Sequence, residues 1–99
     1  MQNNNYLQDL ILWNNNSDTT NGIRKAAMQG DIDAQYALGL CYAEGRGVKQ
    51  DLVNAYLWLS LAIEQDDRDA FDLRAIIVEQ MSNDQFQIAK QKLLQHKTG

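Results

Sequence analysis

Residues 33–63 read DAQYALGLCYAEGRGVKQDLVNAYLWLSLAI, and the spacing of small, aromatic and glycine residues in that stretch admits few folds. Ala34, Leu38, Gly39 and Tyr42 fall on one helical stripe, at i, i+4, i+5 and i+8. Ala55, Trp58 and Ala62 repeat the stripe on a second segment. Between them, Gly45-Arg46-Gly47-Val48 ends the first helix and turns the chain. Two helices with matching apolar stripes and a short link must fold against each other as an antiparallel pair. Gly39 and Ala55, with little or no side chain, let the two backbones come close, and Tyr42 and Trp58 fill the space around that contact.

The pattern recurs. A shift of 36 positions lays Ala26, Gln29, Asp31, Asp33 and Ala34 on Ala62, Gln65, Asp67, Asp69 and Ala70. A period of that length is typical of helix-hairpin repeats. Residues 23–30, IRKAAMQG, read as the end of a preceding unit that closes at Gly30. Residues 67–81 read as the first helix of a following one. In this last unit Arg74 and Ala75 replace the Leu-Gly pair and Val78 replaces the Tyr, the degeneracy expected of a capping unit whose outer face meets water.

The residues at Ala34, Leu38, Gly39, Tyr42, Gly45, Gly47, Val48, Asp51, Ala55, Trp58 and Ala62 resemble the pattern of the Sel-one-like repeat, a tetratricopeptide-type α/α solenoid unit, with no insertion or deletion. Ile63 in place of a second Ala and Asp66 in place of the closing Gly are departures. The resemblance covers about a third of the chain, and the remainder is read from its own residues. It implies an all-α fold, a short α/α solenoid of about three antiparallel helix hairpins with degenerate end repeats. The expected organisation is a single domain over residues 1–99, with a partial repeat at about 18–30, a full repeat at about 31–66 and a degenerate capping repeat at about 67–97. Cysteine-rich members of this family staple each hairpin with a Cys pair, which a chain with one cysteine cannot do.

Ninety-nine residues, 44% of them hydrophobic and none of them proline, fit one small helical domain. Helices are expected over 3–14, 18–29, 31–44, 52–65, 67–81 and 83–97. Asp31 and Asp67 are candidate N-caps, and Ser82 with Gln85 forms a capping box for the last helix. No Lys or Arg precedes Arg24, so the N-terminus lacks the basic region of a secretory signal, and cytoplasmic residence is the expectation even though many relatives are exported. No apolar run reaches membrane-spanning length.

Chemistry finds little footing. Cys41, between Leu40 and Tyr42, reads as a small buried apolar residue. His96, the lone histidine, stands near the C-terminus as a surface residue favoured by the helix dipole. The acidic run Glu64, Asp66, Asp67, Asp69 and Asp72 spans a helix end, a turn and a helix start, and it lacks the glycine-punctuated loop of a calcium site. No catalytic, cofactor-binding or metal-ligating set is expected. A net charge of −4 speaks against nucleic-acid binding, and Lys90, Lys92 and Lys97 form only a weak basic strip.

Function is then expected to be non-enzymatic: a module that binds a protein or peptide through its solenoid surface, as monomer or dimer. On the full repeat the positions left free by the pattern, Gln35, Tyr36, Leu40 and Ala43, are the candidate contacts, with Tyr36 and Leu40 one turn apart as an apolar anchor. The alternative is a cytoplasmic immunity or inhibitor protein that covers a basic toxin or enzyme with the patch Glu64, Asp66, Asp67, Asp69 and Asp72.

Overall fold

The structure, a computed structural model, describes residues 17–98 as five helices: α1 (Ser17–Met28), α2 (Ile32–Glu44), α3 (Leu52–Glu64), α4 (Arg68–Gln80) and α5 (Asn83–Thr98). The described residues are all-helical, as the sequence pattern implies, and α1 to α4 pack in succession as a short helical repeat. The helix expected over 3–14 lies outside the described residues.

Side chains mark each boundary. Asp31, Asp51 and Asp67 stand in extended backbone, and their carboxylates accept from the N–H of Ala34, Asn54 and Ala70 at 2.9, 3.0 and 3.1 Å. Each satisfies a donor the first helical turn leaves orphaned. The Ser82–Gln85 box closes in both directions: Ser82 N–H donates to Gln85 Oε1 at 2.9 Å, and Gln85 N–H donates to Ser82 Oγ at 3.1 Å. Gly45 ends α2 with φ of 72° and its N–H on the carbonyl of Cys41, and Gly47 repeats the left-handed conformation at 71°. The turn is then pinned by Asp51 N–H on Tyr42 O at 2.9 Å and by Gln50 Nε2 on Ala43 O at 3.0 Å.

The 36-residue period is repeated atom by atom in the turns. Gln29 and Asp31 donate their N–H groups to Ala26 O, and Gln65 and Asp67 donate theirs to Ala62 O. Gly30 takes φ of 97° in the first turn, and Asp66, the residue that replaces the closing Gly, takes 71° in the second. A side chain there is held in a region that disfavours L-residues other than Asn and Asp.

Two clusters form the core. Ile23 and Ala27 of α1 pack on Ala34, Ala37, Leu38 and Cys41 of α2; Ala55, Leu59 and Ala62 of α3 join Ala43 with Ala70 and Ile77 of α4. Tyr42 packs against both. At Gly39 a Cβ would lie 2.7 Å from Cγ and Cδ2 of Leu59 and 3.4 Å from the Ala55 carbonyl, so α2 and α3 meet as closely as the Gly39/Ala55 pairing predicts, with Leu59 as the filler.

The last pair is built differently. Residues 45–51 link α2 to α3, whereas Met81 and Ser82 alone link α4 to α5, and α5 docks on α3 instead of on α4. It runs parallel to α3: Phe86 meets Tyr56 edge-on at 5.8 Å, and Lys97 Nζ lies 2.9 Å from Glu64 Oε2. Arg74, which stands where Leu38 stands in the full repeat, donates to Oγ of buried Ser60 at 2.7 Å and lies over the Tyr56 ring at 5.2 Å. That polar contact stands in place of the missing Leu and gives the buried Ser60 hydroxyl a donor.

Candidate partner-binding face

With buried faces assigned, the positions of α2 left at least partly exposed include Asp33, Tyr36, Leu40 and Glu44, which recur at helical spacing along one stripe. The 36-residue shift carries Asp33, Tyr36 and Leu40 onto Asp69, Asp72 and Ile76, all exposed on α4. Together the two stripes carry three apolar or aromatic side chains, Tyr36, Leu40 and Ile76, among carboxylates. Tyr36 sits partly packed against the α2–α3–α4 core. Burial pushes its phenol above the ordinary tyrosine range, and the charges of Asp69, Asp67 and Glu44 push it further. Of the acidic run, read from the sequence as an alternative site, Asp69 and Asp67 thus bear on Tyr36 of the apolar anchor.

Two expected contacts are corrected. Gln35 is 6% exposed and Ala43 9%, because both lie on the stripe of α2 that includes Gly39 and is covered by the rest of the fold. Gln35 serves structure there: its Nε2 donates to Ala27 O at 3.3 Å, while Gln65 Nε2 donates to Gln35 Oε1 and to Gly30 O, each at 2.9 Å. That glutamine pair ties the turn after α3 to the end of α1. Positions that a repeat pattern leaves free include residues facing neighbouring elements as well as solvent. Tyr36 and Leu40 remain half-exposed.

The acidic run is divided by the fold. Glu64 is engaged by Lys97, Asp66 occupies the left-handed turn and Asp67 caps α4, leaving Asp69 and Asp72 exposed on the α2–α4 surface. Glu44 pairs with Arg46. Among the described residues, no group of three or more His, Cys, Asp and Glu side chains is arranged to hold a metal ion, and no helix is long and apolar enough to cross a membrane. Cys41 is buried, its Sγ 3.9 Å from Thr20 Oγ1, and burial pushes its thiol up, away from the reactive thiolate. His96, read from the sequence as a surface residue, is exposed and lies edge-on to Trp58 at 6.3 Å.

The family model of the Sel1 repeat matches residues 32–67, the span from the start of α2 to the cap of α4. Over that span the chain is similar to a Sel1 repeat. The alginate biosynthesis protein AlgK of Azotobacter vinelandii is 44% identical over 45 residues, which cover 46% of this chain and 10% of that protein. The chain therefore matches about a tenth of the length of that relative. No solved structure matches the chain significantly. Sel1 repeats are non-catalytic and generally mediate protein–protein interaction.

Proposed function

We propose that the chain is a protein-interaction module that receives a basic segment of a partner protein across the α2–α4 surface. The observation that carries this reading is the half-exposed Tyr36 ring, packed against the core next to α4, its phenol pushed up by burial and then by the charges of Asp69, Asp67 and Glu44 from two successive repeats. A Lys or Arg of the partner gains a ring face and carboxylates together, while Leu40 and Ile76 take the apolar portions of the same segment. Acidity steers such a partner and sets the pairing register; the half-buried aromatic and aliphatic groups supply residence.

The test uses the full chain and peptides selected against it from a random display library. Binding is expected to enrich Lys or Arg next to an apolar residue, to weaken with salt, and to be lost both in the Asp69→Lys/Asp72→Lys variant and in Tyr36→Ala, with helicity retained by circular dichroism. Selected peptides without basic residues, or affinities unchanged in both variants, would refute the reading. Asp67 is left intact because its reversal removes a helix cap and confounds binding with folding.

A further inference from the structure

The helical period exposes a second surface with a different chemistry. On α2, Ile32, Gln35, Gly39 and Ala43 form the stripe turned into the fold beside α3, with the last three buried. Their equivalents on α4, 36 residues later, are Arg68, Phe71, Ala75 and Glu79, and all four are exposed, Phe71 at 56%. The cause is the course of α5, which the two-residue link sends onto α3. The last unit therefore presents a hairpin-facing stripe that no described helix covers. We propose that α4 of a second copy of this chain occupies it, antiparallel about a twofold axis, so that two chains complete each other's last hairpin.

Self-complementarity singles out a second copy as the occupant. The stripe reads basic, aromatic, small, acidic from its N-terminal to its C-terminal end. An antiparallel copy centred between residues 73 and 74 sets Phe71 against the partner's Ala75 and Arg68 against the partner's Glu79, both pairings in nearly one register. Ala75 replaces Gly39 at the position where α2 and α3 approach most closely, and its small side chain leaves room for the Phe ring. Neither Arg68 nor Glu79 takes part in an ion pair among the described residues. Both oppose the dipole of their own helix, with a cation in the first turn and an anion in the last; beside an antiparallel copy each lies near the helix end that favours it. The stripe is distinct from the Tyr36 face, because Asp72 lies about 100° around the helix from Phe71.

Sedimentation equilibrium of the full chain tests this. The wild type is expected to dimerise reversibly. Arg68→Glu or Glu79→Arg alone sets like charges together at two symmetric places and is expected to weaken the dimer about tenfold or more. The Arg68→Glu/Glu79→Arg double variant is expected to recover it, and an equimolar mixture of the two single variants to form a heterodimer tighter than either homodimer. Phe71→Ala, at an exposed position, is expected to yield a folded monomer. A wild type that stays monomeric into the millimolar range overturns the proposal, as does a dimer indifferent to the single reversals or not restored by the double.

Discussion

Glycine to alanine inside a helix ordinarily stabilises, by about 1 kcal/mol, because alanine has less backbone entropy to lose. The chain carries two interior helical glycines that should answer this change with opposite signs. Gly22, in α1, has no neighbour within 4 Å of a built Cβ, so Gly22→Ala is expected to gain close to the full propensity term. Gly39 would set its Cβ 2.7 Å from Cγ and Cδ2 of Leu59, and Leu59 is itself completely buried in the cluster with Ala55 and Ala62 and cannot swing outward. Overpacking of this kind costs about 1–3 kcal/mol, which exceeds the propensity gain and leaves a net loss of about 1 kcal/mol. For a domain of this size that is a fall in Tm of about 4–8 °C. Gly39→Leu carries three more heavy atoms into the same space and lies at or beyond the upper end of that cost. Paired with Leu59→Ala, the Gly39→Ala cost is expected to shrink or vanish, a coupling of about 1 kcal/mol or more in a double-mutant cycle. Urea denaturation followed by circular dichroism measures these variants and the single Leu59→Ala that completes the cycle. A Gly39→Ala protein as stable as Gly22→Ala, or a cycle with no coupling, would refute the close approach of α2 and α3.

Two further outcomes follow from backbone and charge. Asp66→Gly is expected to raise stability by up to about 1 kcal/mol by relieving the left-handed conformation at φ of 71°, and Gly30→Ala to lower it by about 1–2 kcal/mol at the equivalent turn, both read from denaturant midpoints. Tyr36 has a folded-state pKa raised above 10.0, so its contribution to stability is complete below the unfolded-state pKa and is lost as pH rises through the folded value. The wild type is therefore expected to lose stability relative to Tyr36→Phe as pH climbs above 10.0, and equal pH profiles would contradict the burial of Tyr36 within reach of the Asp69 and Asp67 charges.

Much of this architecture is legible because its signals are local. Asp31, Asp67 and the Ser82–Gln85 box cap helices through bonds spanning three residues, and Gly45 and Gly47 supply positive φ where the chain turns. The period, too, is visible in residues that prove to make equivalent bonds, such as Asp31 and Asp67 on Ala26 and Ala62. What escapes sequence reasoning depends on distant partners. Gln35 reads as a surface residue until Gln65, 30 positions on, closes over it. The redirected α5 has a signal that spacing alone could have supplied, since the period places the equivalent of Leu52 at Ile88, yet the Ser82–Gln85 box starts a helix at Asn83. Likewise, laying Tyr36 on Asp72 and Asp33 on Asp69 places part of the acidic run one repeat beyond the apolar anchor, a relation that the 36-residue period makes visible in the sequence.

Amide chemical-shift mapping of the full chain against a library-selected Lys- or Arg-containing peptide decides whether the α2–α4 surface receives a basic partner segment. The largest shifts are expected to cluster at Asp33, Tyr36, Leu40, Asp69, Asp72 and Ile76 and to diminish as salt is raised. Shifts confined to α1 or α5, with those six amides unmoved, would contradict it.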